Sequence, residues 1–583
     1  MGDVLKSEYL AWRLFFAILI AGILISPFFL MRFERGFYQS QFPQYFSSWR
    51  ENGSFSPIET SSDSRYYAAR IHQMATHWVP ADPWTGESSA KFVMTDFISF
   101  ESIALIFRVL KSVLWAWVFS QAIFSILWFF LLVRLLDGLG GSEGQCIWIA
   151  TTVTLFAHTI LVDFNLRLFQ HLLSPLQHAF WFLGSYHWYF GPTRIVRPLI
   201  TYPSLFLAGI LLTRAEEKGR GYFFAGIAGG LLAYIHEDVW LAFGGSVFLY
   251  CLWKSLNIRQ VYWRGWFVLA VFSLVSLPWI FICRPSPEQL GDFGKIIGRH
   301  FSWESLPFLL GSVVTWASFP KRPMRLWFSS VLISIFFALN AQLILGYTFS
   351  PDYWQRLGNV FLVLVFGLLI ARTFHIEDKS YLWLAALSCA FALPRVIGYS
   401  AFHYQLAAIP RPDEEAFEWL NSHTPKDSLV ATLNPLTNLR LPIYTHNQTG
   451  IAYSVSFYPG PSHVDNVCRL LTALSFYGVL PSVYVEDFIH RPTWNEKMQW
   501  TKIPNNERLV RGRGFLSMSM SASLSQLLRA EKTCLVPSFQ PNYLWVANVE
   551  KNLLNPGALT YRRDLKKVFD NQKIAIYSVL SKH

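Results

Sequence analysis

Apolar stretches about as long as a bilayer is thick recur along this sequence, and they restrict its fold more than any other feature. A helix needs about 20 predominantly apolar residues to cross the hydrocarbon core. Eleven stretches read as spans: 12–31, 113–135, 145–162, 199–213, 222–236, 239–253, 265–283, 305–319, 326–345, 357–372 and 381–398. Some are short, so half-spans or re-entrant pieces are allowed for, above all between 164 and 200. Charged residues make up 15% of the 583-residue chain, with a mean hydropathy of +0.30; a soluble domain has roughly a quarter. The fold class expected is a polytopic α-helical membrane protein with about 11 transmembrane helices. The first stretch follows Lys6 and Arg13 and shows no small-residue cleavage site, so it reads as a retained span and not as a signal peptide.

The formal net charge of +12 is explained by membrane orientation, and no nucleic-acid partner is expected. With the N-terminus in the cytoplasm, the inner loops are 134–143, 214–221, 254–264, 321–325 and 372–379. These are short and basic, as the positive-inside rule asks. The outer set is 32–112, 163–198, the 236–239 corner, 284–304, 346–356 and everything after 398. It does hold Arg194, Arg197, Arg284 and Arg299, which the rule alone would not favour.

Residues 1–398 are therefore expected to form a membrane module with a long first outer loop, 32–112. Within that loop, 96–111 reads as an interfacial helix. Residues 399–583 are expected to form an extracytoplasmic α/β domain. A helix opens at 412–421 with acids in its first turn; 464–477 is a second helix; 428–433, 543–547 and 574–579 read as strands. The six cysteines show no CxxC or Cys/His finger spacing, hence no structural zinc signature. Cys468 and Cys534 could pair if this region lies outside the cytoplasm.

The polar motifs lie in the outer set. The stretch 61–87 carries Asp63, Arg65, Tyr66, Tyr67 and Arg70. Asp63 can accept a proton from a hydroxyl, or it and Ser62 can simply cap the helix that follows. His236, Glu237 and Asp238 sit between two apolar runs, where ionisable residues usually face a cavity or a partner. They could bind a cation, a substrate hydroxyl or an arginine, or form a water-exposed corner. Arg356, in the loop before span ten, can hold a phosphate by bidentate hydrogen bonds, or pair with Asp352, or anchor at the interface. The segment 158–197 holds His158, Asp163, Arg167, His171, His178 and His187; interfacial histidines explain these better than a metal site does. Arg194 and Arg197 could meet an anionic headgroup. No GxxxxGKS/T, HExxH or GxSxG motif occurs.

One span, a long outer loop with an early acid beside paired tyrosines, an interfacial helix, many further spans and an outer C-terminal domain together resemble the GT-C glycosyltransferases. Protein mannosyltransferases and the aminoarabinose transferase belong to that superfamily. The resemblance implies a GT-C-like fold and transfer of a sugar from a polyprenyl-phosphate donor to a lipid, glycan or protein acceptor at the outer face, with inversion. It implies a bacterial inner or plasma membrane, with membrane lipids around the bundle. Asp63 would be the catalytic acid of the first loop. Arg356, with Arg65 and Arg70, would bind the donor phosphate; Glu237, Asp238 and His236 would hold substrate or a metal, so a divalent cation is the cofactor to test. Asp63 stands between serines where many members carry an acidic pair, and there is no WWDYG motif. Two other classes stay open: a lipid-linked substrate transporter or flippase, and a non-catalytic membrane scaffold.

Overall fold

The structure is a computed structural model. Apart from isolated positions it describes residues 2–33, 52–56, 62–77, 81–86, 96–156, 199–283, 295–349, 351–451, 463–481, 539–554 and 562–580. The chain opens with helix α1 (Gly2–Phe33), strand β1 (Asn52–Phe55), α2 (Ser62–Thr76), α3 (Phe97–Leu110), α4 (Val113–Gly138) and α5 (Glu143–Leu155). After α6 (Thr201–Lys218) and α7 (Tyr222–Leu231) come α8 (Glu237–Ile258), α9 (Trp263–Ile282), β2 (Lys295–Ile297), α10 (Leu306–Ser318) and α11 (Pro323–Leu339). Then follow β3 (Tyr347–Phe349), α12 (Pro351–Thr373), α13 (Asp378–Ala407), β4 (Ala408–Pro410) and α14 (Arg411–His423).

Each apolar stretch read from the sequence is mainly helical over its described residues, but 222–236 leaves the helix before 235 and 326–345 is broken at 340–341. Six helical segments are long and apolar enough to cross a membrane: Glu8–Leu30, Val113–Gly138, Glu237–Ile258, Trp263–Ile282, Pro323–Leu345 and Tyr353–Thr373. The chain is thus a polytopic helical membrane protein. Local chemistry sets where helices start. Ser112 caps α4 by accepting from the Trp115 N–H, and Ser142 and Gln145 form a reciprocal capping box at α5. The expected interfacial helix is α3. It buries Phe100, Ile103, Ala104 and Phe107 and leaves Leu105 and Val109 exposed, as a helix lying in a lipid interface does.

Loops expected on one side meet one another. At one end Arg13 pairs with Glu143, the Tyr9 hydroxyl donates to Asp378 at 2.7 Å, and Arg372 donates to the carbonyls of Leu139 and Gly140. Lys254 reaches Glu216 at 2.6 Å across the bases of α6 and α8. At the other end β1 pairs antiparallel with β4, so the first long loop is stitched to the end of α13.

Beyond α14, Asn434 caps α15 (Pro435–Tyr444) by accepting from the Leu436 N–H, and α16 spans His463–Tyr477. A four-stranded sheet has the order β5 (Val430–Ala431), β6 (Tyr543–Val546), β8 (Ala575–Val579), β7 (Leu565–Asp570), parallel between β5 and β6 and antiparallel elsewhere. Alternate residues of one strand face opposite sides. Leu544 and Val546 join Leu470 and Leu474 of α16, whereas Trp545 joins Phe417 and Leu420 of α14. The sheet is therefore covered on both faces. Cys468 is disulfide-bonded; Cys534 lies outside the described residues.

Candidate functional site

Helix α2 organises the end of the bundle at which β1 pairs with β4. From Ser64 to Ile71 every side chain is buried, so this helix lies between layers and not on a surface. One side packs on α3 and the bundle. The other meets α15, whose Leu439 and Ile443 belong to the same continuous core as the bundle.

Long-range hydrogen bonds hold it there. The His72 Nδ1–H donates to the Pro442 carbonyl at 2.8 Å, and the Trp84 indole N–H donates to the Asn438 carbonyl at 3.2 Å. The Trp84 carbonyl accepts from Thr449 and Gly450. Trp84 stacks on Tyr66 with ring centroids 5.5 Å apart and planes within 9°. Asp82 shapes the turn that presents Trp84, its Oδ1 accepting from the backbone N–H groups of Trp84 and Thr85 at 2.9 Å each. Gly86 closes the turn with φ +72°, and a Cβ there would lie 2.5 Å from the Gln448 side chain, so only glycine fits. Burial pushes the Asp82 carboxyl above its usual range, against those N–H donors and the charge of Arg70. Burial likewise lowers His72, against the Pro442 hydrogen bond.

Asp63 lies in the first turn of α2, where only its backbone is described. Arg65 and Arg70 are buried, at 2% and 1% exposure. Arg70 donates to the Tyr66 hydroxyl at 3.3 Å and lies 4.3 Å from the Phe100 ring centroid. It is packed within the first loop, which sequence spacing does not show.

His236 is the cap of α8 and is 2% exposed. Its Nδ1 lies 3.2 Å from the Asp238 N–H and 3.1 Å from Asp238 Oδ2. Its Nε2 is buried with no hydrogen-bond partner among the described residues. His236, Glu237 and Asp238 each offer a ligand atom within 4.8 Å of the others, a donor set that suits several divalent ions. Through the preceding turn this corner touches the first loop, the Ser99 hydroxyl of α3 donating to the Ile235 carbonyl at 3.2 Å.

The first turns of α12 reach the same place, so Arg356 stands on a helix and not in the outer loop 346–356 where the sequence reading puts it. The Tyr353 ring centroid is 6.2 Å from that of His236, and the Arg356 guanidinium lies 5.5 Å from the Tyr353 ring. One ring thus joins His236 and Arg356, residues 120 positions apart in the sequence. Next to them Gln355 donates to Glu304, a carboxylate that no spacing pointed to. Of Asp352 only the backbone is described, and 158–197 lies outside the described residues.

A further residue acts from a distance. Glu550 is fully buried; its Oε1 accepts from the Thr432 hydroxyl and the N–H groups of Leu433 and Asn434, and its Oε2 accepts from the Ala547 N–H. Burial raises its carboxyl above the usual range, against those donors. It fixes the start of α15, and α15 holds α2.

No protein-family model and no curated protein matches the chain. Among solved structures it is similar to ArnT from Cupriavidus metallidurans bound to undecaprenyl phosphate, with TM-score 0.42, 11% identity, and coverage of 93% of this chain and 97% of that one. The apo state of ArnT matches at TM-score 0.42 and 12% identity over the same shares. The arabinofuranosyltransferase AftD from Mycobacteria matches at TM-score 0.44 and 13% identity, over 94% of this chain and 39% of AftD.

Proposed function

We propose that this protein is a membrane glycosyltransferase that moves one sugar from a polyprenyl-phosphate carrier to an acceptor at the outer face. One observation carries the reading: elements bearing three motifs far apart in sequence touch in turn at one end of the bundle. The first-loop helix bearing Asp63 packs on α3; α3 touches the His236 corner; His236 and Arg356 share Tyr353. An acid, an imidazole with two carboxylates, and an arginine beside an aromatic ring suit a phosphate-linked sugar.

In this mechanism the acceptor hydroxyl gives its proton to the Asp63 carboxylate. The acceptor oxygen bonds to the anomeric carbon as the bond from that carbon to the phosphate oxygen breaks, through an oxocarbenium-like state. The electron pair leaves with the polyprenyl phosphate, whose growing charge Arg356 stabilises, with Arg65 or Arg70 behind it. A single displacement inverts the anomeric centre. Glu237, Asp238 and His236 hold the sugar or a divalent cation. Eleven spans, a bacterial inner or plasma membrane, an acceptor that is lipid, glycan or protein, and a boundary near residue 399 with the sheet outside the cytoplasm complete the reading. The bonded state of Cys468 supports that side, since disulfides persist in oxidising compartments.

Undecaprenyl phosphate, the lipid held in the solved ArnT, is the probe of choice. Full-length protein in nanodiscs is expected to bind it and to release it from its glycosylated form when acceptor is present. Movement of the lipid across a bilayer with no glycosidic bond broken would make the protein a transporter instead.

A further inference from the structure

Beside the His236 corner lie two tryptophans that the mechanism does not use. Trp240 stands one turn into α8, and Trp279 three residues before the end of α9. Both therefore sit near the outer end of their helices, at the same level as His236. Their ring centroids are 5.4 Å apart, and Trp240 stacks on Phe272 at 5.6 Å with planes within 11°. The rings are half-buried, yet the indole nitrogens of both are buried with no hydrogen-bond partner among the described residues, as is His236 Nε2.

Buried polar groups are normally hydrogen-bonded to protein or ordered water, and a buried indole N–H usually finds an acceptor. Trp128, Trp327 and Trp545 also have buried nitrogens without a partner, but their rings are wholly enclosed in packed cores. Trp240 and Trp279 differ in being partly open and in standing beside the corner of Glu237 and Asp238.

The composition of this corner selects a ligand class. An anion would meet the two carboxylates at close range, which disfavours it. An apolar group would leave the nitrogens unsatisfied. A neutral polyhydroxyl compound satisfies both sets: its hydroxyls donate to Glu237 and Asp238, and its oxygens accept from the indoles. The stacked aromatic rings offer an apolar face to the C–H side of a sugar ring, in the pattern of small-molecule sites that pair apolar walls with a few polar groups.

We propose that His236, Glu237, Asp238, Trp240 and Trp279 form a neutral-sugar subsite between the outer ends of α8 and α9. This deepens the glycosyltransferase reading and rests on it for the sugar's role as substrate. The subsite holds the pyranose or furanose ring by direct hydrogen bonds and leaves the phosphate to the Arg356 side.

The test is saturation-transfer NMR on full-length protein in lipid nanodiscs, with methyl α-mannopyranoside and methyl α-arabinofuranoside as probes. Wild type is expected to saturate the ring C–H protons of at least one probe. Trp240→Phe and Trp279→Phe keep a ring and remove the N–H, and each is expected to weaken binding roughly fivefold, the ratio that one lost neutral hydrogen bond gives. Lys567→Ala, on the exposed edge strand β7, is expected to leave it unchanged. Should a tryptophan variant fail to fold, His236→Gln carries the same expectation of loss. No saturation by either probe in wild type, or equal saturation in every variant, overturns the proposal. A parallel measurement of undecaprenyl phosphate binding separates the two ideas. Lipid bound without a glycoside signal sinks the subsite alone; glycoside bound without the lipid supports the subsite and sinks the polyprenyl-phosphate reading.

Discussion

Glu550 shows how much one buried carboxylate can organise. Its two oxygens accept four hydrogen bonds from two segments of the C-terminal region, and one of them is the N–H of Asn434, the cap of α15. Glu550→Gln keeps the shape but turns one acceptor oxygen into a donor NH₂ facing other donors. An unsatisfied buried donor costs about 1–3 kcal/mol, so the variant is expected to melt earlier by a corresponding amount in a thermal scan of the whole protein. An unchanged midpoint would show that the N–H groups find water instead. Asp63 and Arg356 make a contrasting pair. Asp63→Asn removes a proton acceptor and is expected to slow transfer by about 10²–10⁴-fold while undecaprenyl phosphate still binds. Arg356→Ala is expected to weaken lipid binding by about tenfold, the lower range for a hydrogen bond to a charged group, and to slow transfer as well. Full transfer by Asp63→Asn would remove that residue from the mechanism.

The element that couples these residues is α2, held between the bundle and α15. Its contact with α15 depends on His72, whose Nδ1–H donates to the Pro442 carbonyl. Burial lowers the folded pKa of His72, while the unfolded value stays near 6.5. Between those two values the unfolded chain binds a proton that the folded one does not, so stability falls as pH drops below about 6.5. Protection factors of the amides in 62–76, taken relative to intrinsic exchange at each pH, are expected to fall between pH 7 and pH 5, and His72→Gln, which can still donate to Pro442, is expected to remove that dependence. An equal fall in both proteins would place the sensitive group elsewhere. The helices were legible because an amphipathic or wholly apolar period is local. So were α14, α16 and the strands β6 and β8, which coincide with the stretches read from the sequence. Strand β7, with Lys566 and Lys567 exposed on a sheet edge, lacks the clean alternation that would mark it. Pairing of β1 with β4, Trp84 under Asn438, and Glu550 beneath Asn434 join residues too distant for any periodicity to connect. The same holds for Trp240 and Trp279, which in sequence are two aromatic residues among many.

At the scale of the whole molecule, the question is which end faces out. Helix α13 has 30 residues, about 45 Å at the usual rise, longer than the roughly 30 Å of hydrocarbon. Read as a span, it is expected to leave the membrane as a helix and to deliver β4 to β1, with the first loop and the sheet on one side. The opposite end gathers the basic loops, with Arg372, Arg322 and Arg13 bound across helix ends. Basic loops stay in the cytoplasm, so the sheet is expected outside. Single cysteines test this cleanly, because Cys146, Cys251, Cys283 and Cys389 are buried and Cys468 is bonded. Gly219 is a poor inner position, since its φ of +66° would strain a cysteine; Lys218 beside it is exposed. An impermeant maleimide on intact cells is expected to label Ser422→Cys, on the exposed end of α14, and to miss Lys218→Cys until the membrane is opened. Labelling of Lys218→Cys in intact cells, with Ser422→Cys protected, would invert the molecule. The acid, the imidazole and the arginine would then face the cytoplasm, and a reaction at the outer surface would have no site.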